Sequence, residues 1–151
     1  MRKIILALTL LWMITACQNS NHFDKKHRFE NNNWFKFNDL KYDIPVNAGE
    51  TYSFTGNIIT DSSYQNRKIE IGFYLILPSG EERLSDQSIR ILDYNYLPVG
   101  ENTEAGISVP VDFKKHLSVS ENGILKLQIS LHSQNLDNFG IIGIDLFVKK
   151  E

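Results

Sequence analysis

From Trp34 onward the hydrophobic positions recur every second residue. Tyr52, Phe54, Gly56 and Ile58 alternate with Ser53, Thr55 and Asn57, and Ile69, Ile71, Phe73, Leu75 and Leu77 alternate with Glu70, Gly72, Tyr74 and Ile76. Successive side chains of an extended chain point to opposite faces, so this period predicts strands with one face turned to a core. The cleanest examples come late: Leu125, Leu127, Ile129 and Leu131 around Lys126, Gln128 and Ser130, then Ile142, Ile144, Leu146 and Val148 around Gly143, Asp145, Phe147 and Lys149. Shorter candidates are Phe35–Phe37, Tyr42–Val46, Ser88–Leu92 and Ile107–Phe113, the last with Val109, Val111 and Phe113 on one face. No segment carries the i, i+3, i+4 stripe of an amphipathic helix.

The punctuation fits strands joined by turns. Asn31-Asn32-Asn33, Asn47-Ala48-Gly49, Pro78-Ser79-Gly80 and Glu121-Asn122-Gly123 are turn signals, because Asn and Gly tolerate left-handed backbone and Pro presets a turn. The stretch from Asp93 to Gly106 reads as a crossover loop or a short helix. About eight short strands predict an all-β domain, an antiparallel β-sandwich, of which the jelly roll is one form. Two packed sheets bury one face of every strand and leave the other wet.

The first 17 residues are different. Met1-Arg2-Lys3 is a basic start, Ile4–Ile14 an almost wholly apolar run, and Thr15-Ala16 a pair of small residues before Cys17. A membrane-spanning helix needs roughly 20 apolar residues, and about half that length fits the core of a secretory signal. Residues 1–16 therefore read as a signal peptide. The string Ile14-Thr15-Ala16-Cys17 resembles the lipobox of bacterial lipoproteins, which implies cleavage between Ala16 and Cys17, a diacylglycerol on the Cys17 sulfur and a further acyl chain on the new amino terminus. Multiple acyl chains anchor durably where one does not. Residues 17–27, polar and without periodicity, read as the lipidated Cys and a flexible tether, and 28–151 as the β-sandwich domain. Gln18 after the Cys, where inner-membrane retention by resemblance to known sorting rules uses Asp, implies the outer membrane. Surface-exported lipoproteins often carry acidic residues just after the Cys and Gln18–His22 has none, so the same resemblance to known sorting rules implies the periplasmic side.

Composition narrows the chemistry. The chain has 151 residues, 23% of them charged, and removal of Arg2 and Lys3 with the leader leaves 14 basic against 18 acidic, a net charge of −4. Nucleic-acid binding rests on clustered Lys and Arg, so no such partner is expected. A single Cys excludes an internal disulfide framework and a multi-thiolate zinc site. His22, His27, His116 and His132 have no metal-ligand spacing, no G-x-S-x-G nucleophile turn occurs, and no Gly-rich phosphate loop follows a strand. The nearby carboxylates Asp39/Asp43, Glu81/Glu82 and Glu101/Glu104 lie beside turn residues, where solvated acids are ordinary. The sequence thus predicts no enzyme, no catalytic or metal-binding residue and no cofactor.

The aromatics are numerous, 17 of 151 residues with six Tyr and nine Phe. Most are expected in the core and in cross-strand pairs. Tyr94 and Tyr96, flanking Asn95 in the long connection, are the rings expected at the surface, and they form the candidate partner or ligand surface. Exposed rings of this kind can stack on sugars, so a glycan is the alternative to a protein partner.

With lipobox, tether, Trp34 and β pattern together, the chain resembles the gliding-motility lipoproteins of the GldH family of Bacteroidetes. The resemblance rests on Trp34 before the first strand, Tyr64 and Asn66 ahead of the apolar run Ile69–Gly80, and the late segments Gly123–Gln134, Leu136, Gly140–Ile144 and Lys149–Glu151. Leu84-Ser85-Asp86 stands where the family usually has an Asp-Thr pair, and Leu131-His132 where it often has Met-Arg. The resemblance implies a non-enzymatic subunit of the gliding apparatus and its linked type IX secretion. A membrane-anchored interaction subunit of an envelope assembly is the first functional expectation, and a carbohydrate-binding envelope lipoprotein the second.

Overall fold

The computed structural model describes residues 22–151. Ala16, Cys17 and the start of the expected tether lie outside the described residues. Nine strands follow in order: β1 (His22–Arg28), β2 (Leu40–Val46), β3 (Thr51–Thr60), β4 (Lys68–Ile76), β5 (Glu82–Arg90), β6 (Glu101–Thr103), β7 (Gly106–Ser118), β8 (Gly123–Leu131) and β9 (Ile141–Lys150). They form two antiparallel sheets, β1-β9-β3-β7-β6 and β2-β8-β4-β5. The sandwich expected from the alternation is the fold observed.

The pairing is nested. β4 pairs with β5 across a tight turn, β3 with β7, β2 with β8 and β1 with β9. This is one long hairpin whose tip is the Leu77–Glu81 turn, folded so that β9 also pairs with β3 and β8 with β4. The result is the strand order of a jelly roll, with β6 as a short addition at one edge.

Burial follows the parity of the sequence. Phe54, Ile58, Ile69, Ile71, Phe73, Leu75, Leu125, Ile129, Ile144 and Leu146 are almost wholly inaccessible and belong to one core. Phe73 links the sheets: its ring stacks on Phe113 at 5.4 Å and meets Phe54 edge-on at 5.8 Å. Gly72, on the outer face of β4, leaves room for a neighbour, since a Cβ there would lie 2.7 Å from His132 Nε2. His132 faces outward as its parity predicts, with Nδ1 at 3.6 Å from Asp86.

Two local features differ from the sequence expectation. Residues 22–27, read as tether, lie in β1. Their backbone completes the ladder of β9, and the sequence hides this because an edge strand buries little: Phe23 alone packs on the core, edge-on to Tyr42 at 6.2 Å. Arg28 then pairs with the buried Asp145 of β9 at 2.6 Å. Phe35–Phe37, read as a short strand, is a turn, with the Asn38 amide donating to the Phe35 carbonyl at 2.9 Å. Trp34 before it is drawn into the core and Asn38 after it closes the turn, so the short alternation has no strand to pair with. The 93–106 connection takes the loop form of its two expected alternatives, with a Leu92–Pro98 bridge at its start and the short β6 within it.

The two ends of the sandwich are unlike. The connections 47–50, 77–81 and 119–122 are short and lie at the end where β1 begins and β9 finishes. Here the Glu50 carboxylate accepts from Lys150 Nζ (2.5 Å), Tyr52 Oη (2.5 Å) and Asn47 Nδ2 (3.2 Å), in that order of effect holding its pKa down to about 2. The connections 29–39, 61–67, 91–100 and 132–140 are longer, and all lie at the opposite end.

Candidate functional site

Loops carried on a rigid sandwich are the usual seat of recognition, because their side chains are not committed to the core. The four long loops lie side by side across one end and are tied to one another. The Asp61 amide donates to the Gly140 carbonyl at 2.9 Å, the Gly140 amide to the Asn32 carbonyl at 2.8 Å, and Asn32 Nδ2 to Asp61 Oδ2 at 2.9 Å. Gly140, at φ +87°, is required here: a Cβ would lie 2.7 Å from the Tyr64 amide nitrogen. Asn31 and Asn32 take left-handed φ of 53° and 51°, which is why the Asn run reads as a turn.

Asn138 is the knot between the first and last of these loops. Its Nδ2 donates to the carbonyls of Trp34 (3.1 Å) and Asn135 (3.3 Å), and its Oδ1 accepts from Ser133 Oγ (2.6 Å). Its amide donates to Asn33 Oδ1 at 2.7 Å, and its carbonyl accepts from the Trp34 amide at 3.2 Å. Below it, fully buried Trp34 stacks on Phe29 at 4.8 Å and donates Nε1–H to the Asn38 carbonyl at 2.9 Å. On the same two loops Phe35, Phe37, Leu136 and Phe139 are exposed, with Phe35 and Phe37 meeting edge-on at 5.9 Å.

Tyr94 and Tyr96, the surface pair expected from sequence, are 75% and 63% exposed on the 91–100 loop. Asp93 builds that loop by accepting from the Asn95 and Leu97 amides at 2.7 and 2.9 Å, which sets Tyr96 at φ +61°. Arg67, from the neighbouring loop, lies over both rings at 4.8 and 5.3 Å, and Arg90 over Tyr94 at 5.4 Å. Cation–π contacts of this kind contribute about 0.5–1 kcal/mol at exposed sites and favour the attitudes in which the tyrosines lie against the arginines. Leu97 and Val99 continue the exposed apolar surface.

A cleft of about 470 Å³ opens beside this loop, between Thr60, Asp61, Ser62 and Gln65 on one side and Leu92, Tyr96 and Pro98 on the other. Its floor is the end of the core, where Tyr64 is buried and donates to the Lys68 carbonyl at 2.9 Å. Thr60 is 1% exposed, and its hydroxyl has no hydrogen-bond partner among the described residues. Tyr94 does not line the cleft.

Two of the six weighed carboxylates, Glu81 and Asp39, have structural partners. Glu81 pairs with Arg83 at 2.7 Å, and Asp39 accepts from Gln128 at 3.0 Å. His116 meets Glu151 at 2.7 Å at the short-turn end, while His27 packs edge-on to Phe29, its pKa lowered by burial and then by Arg28. Among the described residues, no three of His, Cys, Asp and Glu are grouped so as to hold a metal ion.

Arg67, Thr60, Asn138 and the Phe37–Leu136–Phe139 patch carry no local sequence signal. Each acquires its meaning from loops far apart in the chain.

No protein-family model and no curated protein matches the chain. Among solved structures it is similar to the VP2 subviral particle protein of infectious bursal disease virus, with 12% identity and a TM-score of 0.39 over 84% of this chain and 32% of that one. The chain spans about a third of the length of that viral protein.

Proposed function

We propose that the protein is a non-enzymatic interaction subunit of a bacterial envelope assembly, anchored in the outer membrane through lipidated Cys17 and similar in role to the GldH lipoproteins. The observation that carries this reading is the polarity of the domain. The leading strand enters at the short-turn end, whereas eight of the ten exposed large hydrophobic residues among those described lie on the long loops at the other end. A lipid anchor ahead of β1 would hold the short-turn end near the membrane. Strands of about ten residues rise roughly 33 Å, so the apolar loops would stand that far from the lipid surface.

Exposed apolar patches of more than a few hundred Å² are uncommon on monomers and mark surfaces that meet other molecules. Phe35, Phe37, Leu136 and Phe139 on two of these loops and Tyr94, Tyr96, Leu97 and Val99 on a third supply that apolar surface.

The test has two arms. Cys17→Ser should release the protein from the membrane fraction or leave its precursor uncleaved; unchanged partition with normal processing refutes the anchor. Phe37→Ser with Phe139→Ser, on an otherwise unchanged protein, should abolish co-purification of secretion or motility proteins. Recovery of the same partners by the double variant would refute docking through the loop end.

A further inference from the structure

We propose that Arg67, Lys68 and Arg90, gathered around Tyr94 at the end of β5, bind an acidic peptide segment of a partner protein, which adds as a strand along the open edge of β5. This names the partner's chemistry and so rests on the docking reading, at a place apart from the Phe37–Leu136–Phe139 patch.

The three cations meet only through the fold. Arg67 ends the 61–67 loop, Lys68 opens β4, and Arg90 closes β5 as the ladder partner of Lys68, so Lys68 and Arg90 share the outer face of the sheet. The Arg67 guanidinium lies 4.8 Å from the Tyr94 ring and 5.3 Å from that of Tyr96, and the Arg90 guanidinium 5.4 Å from Tyr94. Two like charges are thus held against one ring, in a chain with 18 acidic and 16 basic residues. None of the three is ion-paired among the described residues, and Glu70, on the same face of β4 as Lys68, is paired with none of them. Asp93 turns its carboxylate to the Asn95 and Leu97 amides instead.

Such a cluster is complementary to carboxylates. Stacking on an aromatic ring orients the plane of a guanidinium and leaves N–H groups at its rim, which can hold a carboxylate through two parallel bonds. Within the described residues Arg67 commits only Nε to a hydrogen bond, to the Asp93 carbonyl at 3.3 Å.

The neighbouring edge selects a polypeptide over other anions. β5 is outermost in its sheet and pairs on one side only, with β4. The backbone groups along its other side suit an added strand, and a sugar or a phosphate cannot continue a ladder. Leu84, 69% exposed on the outer face of β5, offers an apolar contact to the side chains of that strand.

The experiment is fluorescence anisotropy of a labelled octapeptide of alternating Glu and Thr with the purified full-length protein in detergent. Binding should saturate at low salt, weaken steeply at high salt, and be absent for the matching Lys–Thr peptide. Arg90→Gln should weaken it about fivefold, and Arg67→Gln with Arg90→Gln about twentyfold. Arg90 is exposed and holds only the Tyr94 ring, so its variant carries the test even where Arg67→Gln loosens the loop. Methylating alternate peptide nitrogens blocks ladder bonds while keeping every charge, and should weaken binding about tenfold. The proposal is overturned by no saturable binding, by unaltered affinity in Arg90→Gln or for the methylated peptide, or by tighter binding of hexagalacturonate or linear hexaphosphate than of the peptide. These measurements use no cellular partner, so they can fail while Phe37→Ser with Phe139→Ser still abolishes co-purification, and the reverse.

Discussion

Replacing Asn138 by Ala removes three side-chain hydrogen bonds from the knot beneath the Phe35–Phe139 patch and leaves its backbone bonds intact. A typical intramolecular hydrogen bond contributes about 0.5–1.5 kcal/mol net, and a buried acceptor deprived of its donor costs about 1–3 kcal/mol. The Trp34 carbonyl is the buried acceptor in this set, whereas the Asn135 carbonyl and Ser133 hydroxyl lie near the surface and can turn to solvent. The expected loss is therefore about 2–3 kcal/mol, or roughly 10 °C in melting temperature for a domain of this size. Asn138→Asp makes the mechanism specific. At neutral pH it sets a carboxylate against two carbonyl oxygens and should be worse than Ala; once protonated it regains an O–H donor. The new acid's pKa is thereby raised in the folded state, so the variant should gain stability as pH falls toward 4, opposite to an ordinary surface Asp. Equilibrium denaturation gives these energies, and the fluorescence of Trp34, the one Trp after residue 16, reports the same corner of the core. A loss under about 0.5 kcal/mol in Asn138→Ala, or an Asp variant insensitive to pH, would refute the knot.

Glu50 gives a second pH test: its folded value of about 2 lies below the ordinary 4.5, so its contribution is complete above pH 4.5 and is lost as pH falls toward 2. Acid titration of stability should be flatter over that interval in Glu50→Gln. Tyr42 has a hydroxyl without a partner among the described residues and a pKa raised mainly by burial, so Tyr42→Phe should be neutral or stabilising by up to about 1 kcal/mol in denaturant melts. Phe73→Ala, which empties the contact between Phe54 and Phe113, should cost about 3–5 kcal/mol; a loss below about 1 kcal/mol would mean that the two sheets are not held together there.

How far the sequence could be read depended on the range of the interactions. β3, β4, β8 and β9 were legible because each buries one full face, and burial imposes the period of two directly on the residues. β1 was not, because its place is fixed by backbone bonds to β9 and by Arg28 with Asp145, neither of which needs alternating apolar side chains. The exposure of Tyr94 and Tyr96 was legible from their place between Asp93 and Pro98 in a long connection. Arg67 over those rings was not, since nothing near Arg67 marks it as a partner of residues 27 and 29 positions away. Asn138 and Thr60 escaped for the same reason: an Asn in a loop and a Thr ending a strand are commonplace until the fold surrounds them. The lipobox speaks through its own residues and is independent of the fold.

Nested pairing also dictates when the molecule can become whole. His22 finds its ladder partner in Lys149, so β1 cannot pair until β9 has been made. Contacts that distant close slowly, because loop entropy must be overcome before they yield anything. A chain shortened by its final ten residues would expose the bare flanks of both β1 and β3, a ready template for aggregation. Synthesis, rather than any one side chain, thus sets the moment at which the barrel-like body can shut.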